Sequence, residues 1–215
     1  MGYERAVFHA NGAQVGRIVM PAEAAGQVTP AMPFDVCGAM SQGYIGYHIQ
    51  QCLKYALNKS NRNIPVVTVA TQMIVDAKDP AVSNPTKPIG PFYTQEEAKV
   101  LEQERGYIMK EDSGRGYRRV VASPLPQRIV EIEAVKQVWD HSIVITCGGG
   151  GIPVIENPDG TLEGVAAVID KDFAAELLAE KVDADILVIL TEVEKVSINF
   201  KKPNQQDLYR MTLAE

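Results

Sequence analysis

The sequence predicts an α/β fold, specifically a three-layer αβα sandwich around a mainly parallel central sheet. Short β-branched runs alternate with helical stretches along the 215 residues, which is the pattern of that class. Three of the runs are almost continuously apolar, as expected of parallel strands covered on both faces. They are residues 64–70 (IPVVTVA), 142–146 (SIVIT) and 186–190 (ILVIL). We expect them to form the centre of the sheet, within a single domain over residues 1–215.

Helix candidates with recognisable starts lie between these runs. Asp35 is placed to cap a helix that extends toward Lys59. The large apolar side chains of this helix would share one stripe, namely Val36, Met40, Tyr44 and Tyr47. Thr94 and Glu97 form a capping box, and Gly106 is placed to end that helix.

Two further helices are expected in the second half of the chain. The first would follow Pro124 and Pro126. Its apolar stripe would consist of Ile129, Ile132, Val135 and Val138. Asp172 would cap the second, which would run through Glu180.

Residues 75–125 differ in character from the rest of the chain. They contain five prolines and many charges, and they show little periodicity apart from the helix after Thr94. The turn residues are too regular for a disordered linker. We therefore expect a small lid-like subdomain that protrudes from the sheet over residues 75–125.

Composition narrows the classes of partner. The 21 basic residues are outnumbered by 27 acidic ones, which gives a net charge of −6 and argues against a nucleic-acid partner. The longest uncharged apolar run, residues 142–155, contains four glycines and is too short to cross a bilayer, so no membrane partner is expected. The three cysteines are an odd number without CxxC spacing, which favours the reducing cytoplasm and predicts no metal centre of protein ligands.

The first candidate for chemistry is the glycine run that follows the second apolar strand. It consists of Gly148, Gly149, Gly150 and Gly151. Glycines allow backbone amides to approach an anion closely. The run matches neither a Walker loop nor a dinucleotide fingerprint, so it fits an anion site and a tight strand-to-loop turn equally well.

The second candidate is a lysine between two aspartates, Asp170, Lys171 and Asp172, directly before a predicted helix. Helix N-termini favour negative charge, so a phosphate would be stabilised there. Lys171 would neutralise a transferring phosphoryl group, and Asp170 or Asp172 would orient it or hold the magnesium that accompanies a nucleotide. The alternative is a solvated charge cluster in which Asp172 only caps the helix.

Two shorter segments are weaker candidates. His9, Asn11 and Gly12 follow a short apolar run, at the strand edge where open α/β sheets bind ligands. Lys87 lies in a proline-stiffened loop that would present a cation at low entropic cost, or would simply be rigid.

Taken together, these segments resemble the carbamate kinases, within the amino acid kinase superfamily. The resemblance extends from about His9 to Gln206. The segments that carry it are residues 30–47 (PAMPFDVCGAMSQGYIGY), 84–93 (NPTKPIGPFY), 147–154 (CGGGGIPV) and 168–172 (VIDKD). Relatives in this family are longer at both ends, so the chain corresponds to part of the family's domain.

The resemblance implies reversible phosphoryl transfer between ATP and carbamate, which gives carbamoyl phosphate and ADP, with Mg²⁺, in a cytoplasmic homodimer. It implies that Asn11 and Gly12 lie beside the transfer site and that Lys87 reaches over the substrate. Lys171 would stabilise the phosphoryl group, organised by Asp170 and Asp172, and residues 148–151 would line the cleft. The implied nucleotide neighbours are Thr191, Glu192, Ser197 and Asn199.

Two other functions remain open at this level. The polypeptide would be a non-catalytic relative that serves as an oligomerising or ligand-binding unit, since it lacks the family's N-terminal phosphate loop and its C-terminal lysine. Alternatively, it would phosphorylate another small carboxylate.

Overall fold

The computed structural model describes residues 5–191 and 193–212. They form two compact units, residues 5–185 and residues 186–212, which we describe separately. The helices are α1 (Gly12–Ala24), α2 (Phe34–Lys59), α3 (Pro80–Ser83), α4 (Gln95–Arg105), α5 (Ile132–Trp139) and α6 (Lys171–Lys181). The strands are β1 (Arg5–Val7), β2 (Val66–Thr68), β3 (Gln72–Val75), β4 (Lys87–Tyr93), β5 (Met109–Glu111), β6 (Tyr117–Val121), β7 (Pro126–Ile129), β8 (Ile143–Ile145), β9 (Ile152–Glu156), β10 (Leu162–Gly164), β11 (Val196–Ile198) and β12 (Gln206–Leu208).

The parallel part of the first unit is a three-stranded sheet in the order β1-β8-β2. Ile143 of the central strand pairs with Arg5 on one side and with Val66 on the other. All three residues of β8 are buried, as a strand covered on both faces requires. The predictions of parallel strands within residues 64–70 and 142–146 are confirmed.

A second, mixed sheet has the order β10-β9-β3-β7. β3 runs parallel to β9, with Met73 opposite Pro153, and antiparallel to β7, with Met73 opposite Ile129. The largest buried cluster lies under this sheet and joins Met73 and Ile129 to Val135 of α5 and to Leu178 of α6. A second cluster joins Val15 and Val19 of α1 to Cys37 of α2. The α/β class with layered helices is therefore confirmed.

Helix ends agree with the sequence where a local motif specifies them. Both hydrogen bonds of the Thr94–Glu97 capping box are present, and Gly106 ends α4 at φ 64°. The cap of α6 was predicted wrongly, because Asp170 rather than Asp172 is its N-cap and accepts a bond from the Asp172 amide. An Asp two residues upstream satisfies the same orphan N–H groups, so Asp172 falls into the first turn.

Two other boundaries differ from the predictions. α2 begins at Phe34 after Pro33, so Asp35 lies in the first turn and is not the cap. Ile129 belongs to β7 and not to the following helix, since its backbone pairs with Met73 before the chain turns into α5.

The outer face of α2 carries the large apolar side chains, while its inner face is small and polar. The buried residues of this helix include Cys37, Ser41, Gln42 and Gly46. The stripe predicted from the sequence lies on the exposed side, where Tyr44 and Tyr47 are 43% and 55% exposed. No helix within the described ranges is both long enough and apolar enough to span a membrane.

Within residues 75–125, β4, β6 and β5 form a separate antiparallel sheet with α4 beside it. We call β4, β5, β6 and α4 the accessory sheet. Lys87 is the first residue of β4 and pairs with Val121 of β6. After β6 the chain returns to the main unit, where the Val168 amide donates to the Ala122 carbonyl at 3.0 Å.

Residues 186–212 contain one hairpin, β11–β12, in which Ser197 is opposite Asp207. The prediction of a central strand at residues 186–190 is wrong: these residues are in no strand, and all five are exposed. An apolar run becomes a buried strand only where a neighbouring strand supplies hydrogen bonds, and the β1-β8-β2 sheet does not include this segment.

Two glycines of α2 provide a test of how this helix packs on β2. Gly46→Ala is expected to lower the free energy of unfolding by about 1–3 kcal/mol, the usual cost of overpacking a core. An added Cβ would lie 2.7 Å from Thr68 Oγ1, well inside contact distance. Gly43→Ala is the matched control, because an added Cβ meets no neighbouring atom within 4 Å. The control should raise stability by about 0.5–1 kcal/mol.

Urea unfolding at a single protein concentration measures both variants. If Gly46→Ala were as stable as Gly43→Ala, the close approach of α2 to β2 would be incorrect.

Candidate functional site

The candidate site lies where β1 and β8 end. The Val7 carbonyl accepts from the Thr146 amide at 3.0 Å, and the His9 carbonyl accepts from the Gly149 amide at 2.7 Å. The segment after β1 therefore lies directly against the glycine loop, residues 147–151. Carboxyl ends of neighbouring parallel strands form the ligand edge of an open α/β sheet.

The glycine loop requires glycine at several positions. Cys147, Gly149, Gly150 and Gly151 have φ values of 52°, 68°, 94° and 89°. A Cβ on Gly149 would collide with the Asn11 amide, and one on Gly150 would collide with the Ile169 carbonyl. The loop thus contacts both the start of α1 and the segment that leads into α6. The sequence predicted glycines that permit close approach, and here the close neighbours are protein groups on either side of the loop.

Gln42, which sequence reasoning missed, fixes the glycine loop from the α2 side. Its Nε2 donates to the carbonyls of Gly148 at 2.9 Å and Thr71 at 3.1 Å, and its Oε1 accepts from the Thr71 amide at 2.8 Å. The residue is only 2% exposed, so these bonds form away from water and strongly favour one geometry. The available signal was a glutamine on the small-residue face of a long helix, within a stretch without charged residues at 36–53.

Asn11 is the N-cap of α1, so the predicted Asn11-Gly12 turn is the start of a helix that the sequence analysis did not identify. Its side chain is buried and donates from Nδ2 to Ser41 Oγ at 2.8 Å. Burial lowers the pKa of the neighbouring His9, against a smaller opposing effect of its hydrogen bond to the Ala10 carbonyl. His9 is therefore neutral at pH 7, which agrees with a structural role.

Four charged groups converge at the N-terminus of α6. Lys87 Nζ donates to Asp170 Oδ2 at 2.8 Å, although the two residues are 83 positions apart. The other oxygen of Asp170 accepts from the Asp172 amide at 3.0 Å, and Lys171 Nζ donates to Asp172 Oδ1 at 2.5 Å. Lys87 and Lys171 are each about one-third exposed. Each ammonium keeps further N–H groups free of these bonds, because an ammonium has three.

The charge balance of Asp170 favours its ionised form. Partial burial by itself would raise the pKa of Asp170, but the hydrogen bonds from Lys87 and from the Asp172 backbone outweigh burial and lower it. Asp170 is therefore a carboxylate at neutral pH. It connects the accessory sheet to the N-terminus of α6.

A shallow cleft opens beside the glycine loop. Its lining includes Asn11, Asp35, Gly38, Gly149, Gly151 and Val168. Asp35, predicted only as a helix cap, lies here with its carboxylate against Gly164. Of the predicted site residues, Asn11, Gly149 and Gly151 line this cleft. Val168 also lines it and is two residues before Asp170 in the chain.

The predicted nucleotide residues belong to the unit of residues 186–212. Thr191 Oγ1 donates to the Val193 carbonyl at 2.8 Å, and Ser197 Oγ donates to Asp207 Oδ1 at 2.7 Å. Asn199 begins a turn with φ 55° and hydrogen-bonds the Asn204 carbonyl. Glu192, the fourth predicted residue, lies outside the described residues.

Comparisons with known proteins assign the chain to a family. The model of the amino acid kinase family matches residues 36–215. A carbamate kinase of Clostridium perfringens is 58% identical over 218 residues, which is 100% of this chain and 69% of the relative. The chain belongs to the amino acid kinase family. A carbamate kinase of Pyrococcus furiosus is 53% identical over the same shares of both chains.

A solved structure of a carbamate kinase is also similar to this chain. The carbamate kinase from Giardia lamblia bound to AMP-PNP matches with a TM-score of 0.84 and 46% identity, over 96% of this chain and 66% of that one. The chain thus spans about two thirds of the length of its carbamate kinase relatives. The predicted resemblance is confirmed, and the comparisons support a carbamate kinase-like phosphotransferase over a non-catalytic relative.

Cysteine reactivity tests the placement of the glycine loop. Burial raises the pKa of the Cys147 thiol to about 12, and burial followed by the nearby Glu23 raises the pKa of Cys37. Only Cys52 is exposed among the three. Iodoacetamide at pH 8 is expected to alkylate Cys52 in the native protein and to leave Cys37 and Cys147 largely unmodified, because the thiolate is the reactive form.

Peptide mass spectrometry reads the modification, and alkylation in urea serves as the control in which all three react. Native labelling of Cys147 at the rate of Cys52 would show that the loop is open.

Proposed function

We propose that the chain catalyses reversible phosphoryl transfer between ATP and carbamate. A carbamate oxygen attacks the γ-phosphorus, the bond from that phosphorus to the bridging oxygen breaks, and carbamoyl phosphate and ADP form. The observation that supports this reaction is the convergence of two ammonium groups with the glycine loop at one strand edge. Phosphoryl transfer depends on positioning and on neutralising charge more than on covalent chemistry.

In this proposal Lys171 and Lys87 stabilise the phosphoryl group that is transferred. Both are pre-oriented by carboxylates, Lys171 by Asp172 at 2.5 Å and Lys87 by Asp170 at 2.8 Å. Preorganised donors stabilise a transition state without reorganising during the reaction. Asp170 also caps α6, so it fixes Lys87 relative to that helix.

Asn11, Gly12 and residues 148–151 would bind the substrate and its phosphate. The φ values of the loop and the 2.7 Å bond from Gly149 to His9 support a rigid cradle. The amides of Gly149, Gly150 and Gly151 donate to the carbonyls of His9, Cys147 and Gly148, so the loop would contribute a fixed surface without side chains that a substrate can approach closely. Carbamate, a small planar anion, would bind in the cleft beside the loop.

ATP and ADP are the proposed nucleotides, with Thr191, Glu192, Ser197 and Asn199 near them. Mg²⁺ would accompany the nucleotide, and the carboxylates present fit it, because an ion carried by phosphates needs only one or two protein carboxylates. Asp172 is the candidate, since its side chain is half-exposed. When bound, the ion would neutralise charge on the phosphates.

We further propose that residues 75–125 form the lid of this site. The accessory sheet supports this role because its first strand residue, Lys87, reaches Asp170 of the main unit. Lid closure would exclude water from the transferring phosphoryl group.

Lys171→Ala is expected to lower the rate of carbamoyl-phosphate-dependent ATP formation from ADP by at least ~10²-fold, the scale for removing one preorganised charge. Lys181→Ala is the matched control in the same helix, because Lys181 contacts only its exposed neighbour Glu180 among the bonds described for it. It should leave the rate unchanged. Equal activity of the wild-type chain and Lys171→Ala would refute the assigned role of Lys171.

A cytoplasmic homodimer is the proposed assembly, and the outer face of α2 is its proposed interface. Residues 36–53 contain no Asp, Glu, Lys or Arg, and exposed tyrosines lie among them. A surface helix normally exposes charged residues. An uncharged stripe is compatible with a second copy of itself around a two-fold axis, since no like charges oppose each other. The free state of the three cysteines supports the reducing compartment.

Light scattering after size exclusion tests this interface. The chain is expected to elute at about twice its 23.5 kDa mass. Tyr44→Asp combined with Tyr47→Asp should shift it to the monomer mass, because the desolvation of buried charge opposes association. Val100→Asp, at an apolar residue of α4 that is 48% exposed, is the control and should stay dimeric. A monomeric wild type would contradict the proposed assembly.

A further inference from the structure

Helix α1 and strand β4 both begin at the candidate site and lie beside each other. α1 begins directly after Asn11, and β4 begins with Lys87, so each has one end in the site. Near that end their backbones are in contact, because a Cβ on Gly16 would lie 2.7 Å from Gly90 Cα. Farther along α1 lies Glu23, in its last turn and about 16 Å from Gly12 at the helical rise per residue.

Beyond the Gly16–Gly90 contact, a partly open pocket lies between the two elements. Its lining includes Val19, Met20, Glu23, Ile89 and Tyr107. Polar contacts of Glu23 here connect α1 to α4, to Tyr107 and to β6.

Glu23 contacts three side chains of residues 75–125. We call this cluster the Glu23 clamp: Glu23, Arg105, Tyr107 and Arg119. Arg105 donates to Glu23 Oε2 at 3.1 Å, and Arg119 donates to Oε1 at 3.2 Å. The Tyr107 hydroxyl also donates to Oε1. The Arg119 guanidinium lies 3.9 Å from the centre of the Tyr107 ring. The Glu23 side chain is only 24% exposed, so water screens these contacts less than on an open surface.

The position of Glu23 is explained by its partners and not by its own helix. A carboxylate in the last turn of a helix is disfavoured by the macrodipole. Two guanidinium groups around one carboxylate outweigh that effect. Glu23 therefore serves the contact with the accessory sheet at some cost to α1.

The clamp is connected to Lys87 by one strand pair. Arg119 of β6 is directly opposite Ile89 of β4, and Lys87 is two residues before Ile89. Residues two apart in a strand lie on the same face. A shift of β6 relative to α1 would therefore move Lys87 relative to Asp170.

We propose that Glu23 is a positioning residue: by holding the accessory sheet against α1, it holds the Lys87 ammonium on Asp170. The catalytic consequence rests on the function proposed above, whereas the effect on Lys87 does not.

Competitive lysine acetylation read by peptide mass spectrometry tests the effect on Lys87 without any turnover. An ammonium held by a carboxylate reacts slowly, and Glu23→Gln, which keeps the size of the side chain, should raise the Lys87 rate severalfold. Asp170→Asn removes the acceptor itself and sets the upper limit. Glu156→Gln, which breaks an exposed bond with Arg128 in the mixed sheet at 2.7 Å, should leave Lys87 unchanged.

Lys110 separates positioning from a general loss of structure. It lies in β5 of the same accessory sheet and donates to the Pro85 carbonyl at 2.7 Å. If Glu23→Gln only unfolded the sheet, the labelling of Lys110 would rise together with that of Lys87. We expect Lys87 to rise alone. Either an unchanged Lys87 rate or a parallel rise of Lys110 would overturn the proposal.

A double-mutant cycle adds a second criterion. Arg119→Gln should raise Lys87 labelling as Glu23→Gln does, and the combined variant should exceed neither, because both remove the same contact. Additive effects would show that the two residues act independently and would also overturn the proposal.

Kinetics distinguish this proposal from the proposed function. Glu23→Gln is expected to lower kcat about 10-fold with little change in KM for ADP, since misplacing a catalytic group slows the chemical step. If the wild-type chain shows no turnover while the labelling result holds, the proposed function fails and the positioning role stands.

Discussion

The site depends on one constraint, the left-handed course of the glycine loop between Asn11 and Ile169. A non-glycine residue in this conformation costs about 1–2 kcal/mol, and here its Cβ would also strike a neighbouring backbone or amide. Because Gly149 and Gly150 fit only without side chains, the segment after β1 and the segment before α6 can approach the loop closely. The strand edge, the N-cap of α1 and the lysine–aspartate cluster are brought together by that fit.

Electrostatics at the α6 N-terminus follow from the same geometry. Asp170 accepts from Lys87, caps the helix and precedes Lys171, so one carboxylate orders groups that are distant in sequence. The pKa of Asp170 is lowered because these hydrogen bonds outweigh the effect of partial burial. The two lysines and two aspartates balance in charge, so each ammonium has a carboxylate partner without an anion bound. A phosphate would then find donors that are already oriented.

Much of this arrangement could be read from the sequence where the cause is local. The apolar runs of β2 and β8, and the capping box at Thr94, are specified by their own residues. The hydrogen bond between Gln42 and Gly148 spans 106 positions, and no local pattern announces it. Residues 186–190 show the opposite error, because apolarity predicts burial but cannot supply a pairing strand. By sequence, either Asp170 or Asp172 is a suitable N-cap residue for α6. The path of the backbone after Val168 determines that Asp170 takes this position.

The contacts of α2 with the site also determine which residues lie on the outer face of this helix. Its inner face meets the backbone of the glycine loop and of Thr71, whose polar groups need partners once water is excluded. Gln42 supplies them, and Ser41 does the same for Asn11, so this face cannot be apolar. Gly46 must remain small because Thr68 lies against it. The large apolar residues of the helix are consequently left on the outer face, where solvent alone would not favour them. The same helix therefore links the geometry of the loop to the surface on which a second copy would pack.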